Sequence, residues 1–271
     1  MFEGLARAGL RHLPPEIGFR LARTMASRVA RVAVSPEQEE ATQSAEPIRF
    51  GQRGRVTAWV WGSGPTVLLV HGWGGRGAQL APLARHIARQ GFRAIVFDVA
   101  GHGASGERDA RWEYFIRDIG DVAAEVGNAH AWVGHSAGAL TMMASRRLRA
   151  ISAKYFVCIC APSHPHPPVR GVRQRLNPGE AVLQRYRQYL ASQFQSDWAS
   201  LEAGIAWAGA GPELLLCYDE KDRFIDHMEG NRIHDWCPRS TLTKTASFGH
   251  SRVLAAPELA QTITNFIAVP D

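Results

Sequence analysis

The segment Gly134–Gly138, with the sequence Gly-His-Ser-Ala-Gly, constrains the fold more than any other part of the chain. It lies between the apolar run Ala131–Val133 and the helix-like run Ala139–Leu148. A Gly-x-Ser-x-Gly turn between a strand and a helix is typical of a nucleophile elbow, which exposes its serine at the tip. Side chains at the two glycine positions would collide with the neighbouring strand or helix. The pattern predicts an exposed, reactive Ser136, and a tight turn without a chemical role is the alternative.

Composition limits the class of protein. The 271 residues are 45% hydrophobic and 21% charged, and no apolar run reaches membrane-spanning length. These values predict one large α/β domain, or a core domain with an insertion. The N-terminal region lacks the apolar centre of a signal peptide, so we expect a cytoplasmic protein. The net charge of +6 is spread along the chain without an aromatic-interleaved basic tract, which argues against nucleic-acid binding.

The four cysteines predict neither disulfides nor a metal site. Cys158 and Cys160 alternate on one predicted strand and Cys217 lies on another, so we interpret them as buried apolar residues. The sequence contains no Cys-x-x-Cys pair and no helical His-x-x-x-His spacing. We therefore expect no bound metal and no cofactor.

Apolar runs and helix-like stretches alternate along most of the chain. A β-hairpin is predicted over Ile48–Trp61. The predicted buried strands are Thr66–Val70, Ala94–Phe97, Ala131–Val133, Tyr155–Cys160, Leu214–Tyr218 and Thr241–Lys244. The predicted helices between and after them are Gln79–Gln90, Trp112–Val126, Ala139–Leu148, Ile225–Trp236 and Pro257–Ile267. This alternation predicts an α/β fold with a mainly parallel, twisted sheet and helices on both faces.

A small helical cap is predicted over residues 161–210. The strands on either side of it are about fifty residues apart, which is more than an ordinary connection needs. The run Asn177-Pro178-Gly179-Glu180 predicts a helix start with Asn177 as its N-cap. The apolar face that follows can line an acyl pocket or hold the cap on the core, and it comprises Val182, Leu183, Tyr186, Tyr189, Leu190 and Phe194. A second helix is predicted to carry Trp198, Leu201, Ile205 and Trp207.

Residues 1–46 are predicted to form a basic helical segment followed by a linker. Apolar residues recur at helical spacing in the second half of this segment, at Ile17, Leu21, Met25, Val29 and Val32. Such a stripe can dock on the main domain, and a basic amphipathic helix can also lie weakly on an anionic membrane surface. Ser35–Glu46 is polar and acidic and contains Pro36, which is typical of a linker.

A serine hydroxyl needs a neighbouring imidazole to take its proton, and a third group must orient that imidazole. Loops at the carboxyl ends of parallel strands meet at one edge of the sheet. Asp219 and Asp222 directly follow one predicted strand, and His250 follows the next. These residues are the candidates for the acid and the base.

The chain resembles the α/β-hydrolase superfamily, in the branch with a cap inserted after the sixth strand. The resemblance covers residues 48–269 and rests on four ordered motifs: His71-Gly72-Trp73-Gly74-Gly75, Asp98 through Ser105, Gly134–Gly138 and Phe248-Gly249-His250. It implies a core of residues 47–160 and 211–271. It also implies that Ser136 is the nucleophile, His250 the general base and Asp222 the orienting acid. The family's usual Gly-x-x-Asp has Asp219 in place of its glycine here, so Asp219 stays the alternative acid.

By the same resemblance, the backbone amides of Trp73 and Ala137 form the oxyanion hole, where negative charge develops on the attacked oxygen. We expect His71 and His135 to hold their turns by hydrogen bonds. His164 and His166, at the proline-rich start of the cap, are predicted to lie in a solvated loop; contact with the pocket or binding of a stray metal ion is the alternative.

The resemblance implies a serine hydrolase that cleaves a carboxylic ester or a related acyl bond of a small apolar acyl substrate. The same machinery serves thioesterases, amidases and carbon–carbon bond hydrolases, and the fold does not choose among them. A slow-turnover or non-hydrolytic receptor that uses the same pocket is an alternative from another class.

Overall fold

The structure is a computed structural model of the chain and describes residues 14–29 and 33–268. Within these residues one sheet contains eight strands. They are β1 (Glu46–Phe50), β2 (Val56–Trp61), β3 (Thr66–Val70), β4 (Arg93–Phe97), β5 (Ala129–His135), β6 (Ala153–Ile159), β7 (Leu214–Asp219) and β8 (Thr241–Thr245). Their order is β1-β2-β4-β3-β5-β6-β7-β8. Strand β2 pairs antiparallel with β1 and β4, and all other pairs are parallel, which confirms the predicted hairpin and mainly parallel sheet.

The described residues contain ten α-helices, and from β3 onward at least one of them lies between consecutive strands. They are α1 (Pro15–Ser27), α2 (Pro36–Gln43), α3 (Ala81–Arg89), α4 (Trp112–Val126), α5 (Ala137–Arg147), α6 (His166–Leu176), α7 (Glu180–Gln193), α8 (Trp198–Glu202), α9 (Met228–Trp236) and α10 (Pro257–Phe266). Among residues 14–29 and 33–268, no helix is both long enough and apolar enough to cross a lipid bilayer.

Both faces of the sheet are buried, because successive side chains of a strand point to opposite sides. In β3, Val67 and Leu69 pack into one apolar cluster, whereas Leu68 and Val70 pack into another. Helices α3 and α10 contribute to the first cluster, and α4 and α5 to the second. The α/β fold with helices on both faces is therefore confirmed.

The parallel strands end at one edge of the sheet, here called the carboxyl edge. The loop His71–Gly75 follows β3, and Ser136 stands between β5 and α5. Asp222 lies just beyond β7, and His250 follows β8. The topology thus brings the candidate residues of four separate segments to the same edge.

Helices α6, α7 and α8 lie between β6 and β7, within residues 161–210, for which the sequence predicts a cap and which are called the cap segment below. Most of the apolar face predicted for its main helix is buried, as shown by Val182, Leu183, Tyr186, Leu190 and Phe194. The rings of Phe194 and Trp112 are 5.9 Å apart, so α7 packs on the start of α4. This face therefore holds the cap segment on the core.

Two boundaries in the cap segment differ from the prediction. Asn177 does not begin a helix: it adopts a left-handed conformation with φ 43° and ends α6. Asparagine tolerates this conformation at helix C-termini, and Pro178 cannot continue a helix. Helix α7 begins only at Glu180. The predicted second helix is split, because Gly204 (φ 88°) separates α8 from a short 3₁₀ turn, Ile205–Trp207.

The linker predicted over residues 35–46 is wrong, because this segment contains α2. Ser35 and Gln38 form a reciprocal capping box, in which each side chain accepts a hydrogen bond from the other residue's amide, at 3.3 and 3.2 Å. Pro36 occupies the first turn, where its missing N–H costs nothing. Trp61 Nε1 donates to the Ala41 carbonyl at 3.1 Å and ties α2 to the sheet.

Helix α1 docks on the cap segment through a face that the sequence pattern does not predict. Its small or aromatic residues face α7 and α6, with Ala22 fully buried and Phe19 5.8 Å from the Tyr189 ring. The predicted stripe faces solvent instead, with exposed fractions of 54% for Ile17, 41% for Leu21 and 40% for Met25. Residues 1–13 and Val32 of the predicted segment lie outside the described residues.

Candidate active site

Ser136 has the strained backbone of a sharp turn, with φ 53° and ψ −120°. A non-glycine residue in this region costs on the order of 1–3 kcal/mol, which the surrounding structure must supply. The Ser136 amide donates to the Ile159 carbonyl at 2.8 Å and ties the turn to β6. Ser136 is only half-buried, whereas His135 and Ala137 are buried on either side. The turn therefore presents the serine to solvent.

Close contacts explain why three positions near Ser136 are glycine. A Cβ atom at Gly134 would lie 2.5 Å from the Ala139 Cα atom. One at Gly138 would lie 2.7 Å from the Val70 carbonyl oxygen and would collide with the carbonyl of the next residue as well. A Cβ atom at Gly72 would lie 3.0 Å from the Ser136 Cβ atom, so this loop passes directly beside the serine.

His250 and Asp222 form a short hydrogen bond, with 2.6 Å between Nδ1 and Oδ2. The other carboxylate oxygen of Asp222 accepts the amides of Phe224 at 2.7 Å and Ile225 at 2.9 Å. Burial opposes ionisation of Asp222, but His250 and these amides outweigh it and lower the pKa of the carboxyl. An ionised Asp222 accepts the Nδ1 hydrogen and holds the imidazole in one orientation. Nε2 is then the ring nitrogen that can act as a base.

Asp219 builds the loop that carries His250. It is fully buried, and its carboxylate accepts from the Thr245 hydroxyl and from the amides of Lys221, Ser247, Phe248 and Gly249, at 2.7–3.1 Å. Burial opposes its ionisation, but these hydrogen bonds dominate and lower the pKa of Asp219. The structure thus directs Asp222 to the imidazole and Asp219 to the backbone around it.

His71 orients the loop that passes Ser136. Burial, helped by the Arg76 charge, lowers its pKa to about 4, so the ring is neutral at pH 7. Its Nε2 accepts the Val99 amide at 3.0 Å, and Nδ1–H donates to the Gly72 carbonyl at 2.7 Å. That carbonyl and the Trp73 N–H belong to one planar trans peptide and point in opposite directions. His71 therefore fixes the direction of the Trp73 N–H.

His135 connects the turn of Ser136 with the loop of His250. Its Nε2 hydrogen-bonds the His250 carbonyl at 3.0 Å, and the two rings are 4.7 Å apart. Burial, and next the charge of His250, lower the pKa of His135 to about 3, so it is a neutral donor at pH 7. His71 and His135 both make the turn-holding hydrogen bonds that the sequence predicts.

A cleft of about 50 Å³ lies beside Trp73. Helices α1 and α7 and the loop before α4 line it, and its aromatic residues are Trp73, Trp112, Tyr186 and Tyr189. Trp73 stacks on Trp112, with ring centres 5.2 Å apart and planes 16° from parallel. The aromatic wall therefore begins at the loop that passes Ser136.

The family model for the alpha/beta hydrolase fold matches residues 65–214, more than half of the chain. The chain belongs to the alpha/beta hydrolase family. The matched residues include Ser136 and the loop of Trp73, whereas Asp222 and His250 lie beyond their end.

Solved structures share this alpha/beta hydrolase fold. An esterase from Pyrococcus furiosus aligns with a TM-score of 0.63 and 16% identity, over 89% of this chain and 96% of the other. A thioesterase domain from the curacin biosynthetic pathway aligns with a TM-score of 0.59 and 17% identity, over 83% and 100% of the two chains. At these identities the likeness shows the fold alone.

A curated relative is similar to part of this alpha/beta hydrolase. It is the pimeloyl-[acyl-carrier protein] methyl ester esterase of Aliivibrio salmonicida, 33% identical over 88 residues. The match covers 31% of this chain and 33% of the relative, so the chain spans about a third of the length of that protein.

This alpha/beta hydrolase also contains a serine–histidine pair in the cap segment. His164 Nδ1 lies 3.1 Å from the Ser163 hydroxyl. The solvated loop predicted for His164 is wrong, because the residue is 8% exposed and its ring packs on Trp198. Ser163 is fully buried. This pair therefore lacks the exposure that Ser136 has.

Sequence analysis missed two neighbours of the imidazole. Phe224 is 65% exposed, and its ring lies 5.4 Å from that of His250. Ligand atoms of Cys160, Asp222 and His250 lie within 4.8 Å of one another, a spacing that a metal ion could use. Burial, followed by the Asp222 charge, raises the pKa of the Cys160 thiol and disfavours the thiolate that a metal needs. Neither position carries a sequence signal, because both contacts arise only when separate loops meet.

Proposed function

We propose that the protein is a serine hydrolase that cleaves a carboxylic ester through Ser136, His250 and Asp222. The observation that carries the proposal is the 2.6 Å contact between His250 Nδ1 and the buried carboxylate of Asp222. It lies at the same edge of the sheet as the strained, half-exposed Ser136. A nucleophile, a base and an orienting acid are the three groups that acyl transfer requires.

In the proposed mechanism, Ser136 attacks the ester carbonyl while His250 Nε2 takes the hydroxyl proton. Asp222 stabilises the imidazolium that forms. His250 then protonates the leaving alcohol, and an acyl group remains on the Ser136 oxygen. A water molecule, activated by the same imidazole, releases the acid and restores the serine.

The amides of Trp73 and Ala137 are the proposed donors to the developing oxyanion. The Ala137 amide lies in the first turn of α5, where an N–H has no partner within the helix. Because His71 holds the Gly72 carbonyl, the Trp73 amide needs no reorganisation when charge develops. Preorganised donors of this kind are each worth on the order of 3–4 kcal/mol in the transition state.

We propose a small or medium apolar acyl group as the substrate moiety. Aromatic residues line the cleft that begins at Trp73, in the loop beside Ser136, and this lining supports the choice. The fold also carries thioester chemistry in a structural neighbour. The proposed leaving group is the alcohol of an ester, and comparing esters with thioesters tests this choice.

The test is hydrolysis of nitrophenyl esters of graded acyl length, with matched thioesters and anilides. We expect turnover of the esters, a maximum of kcat/KM at short or medium chain length, and loss of turnover in Ser136→Ala. Ester turnover that survives in Ser136→Ala would refute the role of Ser136. A folded wild-type protein that turns over none of the three substrate classes would refute the enzymatic proposal itself.

A further inference from the structure

Large hydrophobic side chains are exposed at five positions of the described chain, and these fall into two groups. The first is the α1 stripe, comprising Ile17, Leu21 and Met25. The second is the acid-loop pair, comprising Phe224 (65% exposed) and Met228 (52% exposed). Exposed apolar residues that cluster in this way mark interaction sites, whereas single ones need no explanation.

Packing within the chain does not explain the α1 stripe. Its residues are spaced four apart and share one face of the helix. The neighbouring face already holds α1 in place, with Ala22 buried and the Arg23 guanidinium over the Phe19 and Tyr189 rings. Within residues 14–29 and 33–268 the stripe therefore stays exposed after α1 has docked.

The charge of the described segment that carries the stripe is positive. Residues 14–29 contain three arginines and one glutamate. Arg20 and Arg28 are exposed beside the stripe, and Glu16 is neutralised by an ion pair with Arg185. An apolar stripe with arginines beside it complements a surface in which apolar chains lie beneath a layer of anionic groups.

Helix α6 contacts both elements that carry the exposed groups. Arg170 of α6 donates to the Phe224 carbonyl at 2.5 Å, and α6 also packs against α1. The Phe224 ring of the acid-loop pair in turn adjoins His250. Helix α6 thus connects α1 with the loop beside the candidate active site.

We propose that the α1 stripe and the acid-loop pair dock this protein on an anionic lipid bilayer. Helix α1 lies flat in the interface, with its stripe among the acyl chains and its arginines at the lipid headgroups. Docking in this way places the mouth of the site at the membrane surface. A second copy of the chain is a poorer occupant, because three side chains of one helix cover far less than the roughly 800 Å² per partner of a stable dimer.

The experiment measures binding of the full chain to phosphatidylcholine vesicles with and without phosphatidylserine. All proteins carry Ser136→Ala, so that binding is separated from turnover and from the proposed function. We expect wild-type α1 to bind the phosphatidylserine vesicles and to be released by salt. The triple variant Ile17→Gln, Leu21→Gln, Met25→Gln should lose at least tenfold in partition, since each glutamine removes apolar area from the interface.

A charge variant and a matched control complete the design. Each arginine near an anionic surface contributes about fivefold in binding, so Arg20→Gln with Arg28→Gln should weaken binding about 25-fold. Arg149→Gln with Arg239→Gln removes the same charge from exposed positions that precede β6 and β8, at the opposite edge of the sheet. This control should bind as the parent does.

Three outcomes would overturn the proposal: no binding by the parent protein, equal binding by the triple variant, or equal weakening by the control pair. A change of oligomeric state in the triple variant without vesicle binding by the parent would assign the stripe to a second copy. Since the stripe is exposed and already unpartnered, all variants should keep the wild-type melting temperature. With Ser136 restored, they should also keep wild-type turnover of a soluble ester.

Discussion

Exchanging each loop aspartate for asparagine separates the acid that orients the imidazole from the acid that builds its loop. In Asp222→Asn the new NH₂ group faces His250 Nδ1, so the ring must accept a hydrogen bond there and carry its proton on Nε2. That tautomer cannot take the proton of Ser136. We expect kcat to fall about 10⁴-fold, or about 5.5 kcal/mol, while the melting temperature changes little.

Asp219→Asn should act on stability instead. One carboxylate oxygen of Asp219 accepts two hydrogen bonds, from the amides of Lys221 and Gly249, and the other accepts three. Whichever oxygen becomes an NH₂ group, at least two donors lose their acceptor. Hydrogen bonds to a charged group are worth about 1.5–3 kcal/mol each, so the loss is about 3–6 kcal/mol. The melting temperature should fall by at least about 6 °C.

The assays are thermal melts and ester turnover per folded molecule, with both variants compared in the same buffer. We predict a kinetic defect without a large melting shift for Asp222→Asn, and a large melting shift without a comparable kinetic defect for Asp219→Asn. If Asp219→Asn melts like wild type and loses more kcat than Asp222→Asn, the assignment of the two carboxylates is refuted.

Three further perturbations test the packing, the buried histidines and the rim of the site. Gly138→Ala should destabilise the protein by several kcal/mol in melts, because its Cβ meets backbone carbonyls, whereas Gly171→Ala, with open space around it, should be neutral or stabilising by up to about 1 kcal/mol. His71 and His135 have lowered pKa values, of about 4 and about 3, so the unfolded chain binds more protons below pH 6.5. Acidification from about pH 7 to about pH 5 should therefore cost about 2 kcal/mol per histidine, and urea titrations that show constant stability would contradict this. Phe224→Ala should raise KM for soluble esters more than it lowers kcat, and an unchanged KM would refute a contact with substrate.

The sheet was predictable because its central strands are buried on both faces. A strand of this kind is a short, continuous apolar run, and β3 agrees with the predicted Thr66–Val70. Helix α4 likewise agrees with the predicted Trp112–Val126, since its apolar periodicity is strong. In these segments the residues that give the local apolar pattern are also the residues that are buried in the fold.

The location of the candidate site was also predictable, because topology alone brings loops after parallel strands to one edge. The choice between Asp219 and Asp222 was not. Both residues lie close to the end of β7, and only the path of the backbone after Asp219 decides which carboxylate meets the imidazole. Phe224 and Cys160 were missed for the same reason.

Near the N-terminus and in the cap segment, the structure differs from the prediction where two sequence signals favoured different structures. The capping box of α2 was present in the sequence, but the polar composition of residues 35–46 suggested a linker. In α1 the periodicity of large apolar residues predicted the helix correctly, but it predicted the wrong docking face. Gly18, Ala22 and the other small residues let α1 approach α7 closely, so packing selected them over Ile17 and Leu21.

The most direct test of the account is to locate the residue that a fluorophosphonate probe modifies. We predict one adduct per chain, found by peptide mass spectrometry on Ser136, and no adduct in Ser136→Ala. Asp222→Asn should label far more slowly, because its imidazole cannot activate the serine. An adduct on Ser163 would assign the chemistry to the other serine–histidine pair, and a folded protein that does not label would contradict the central claim.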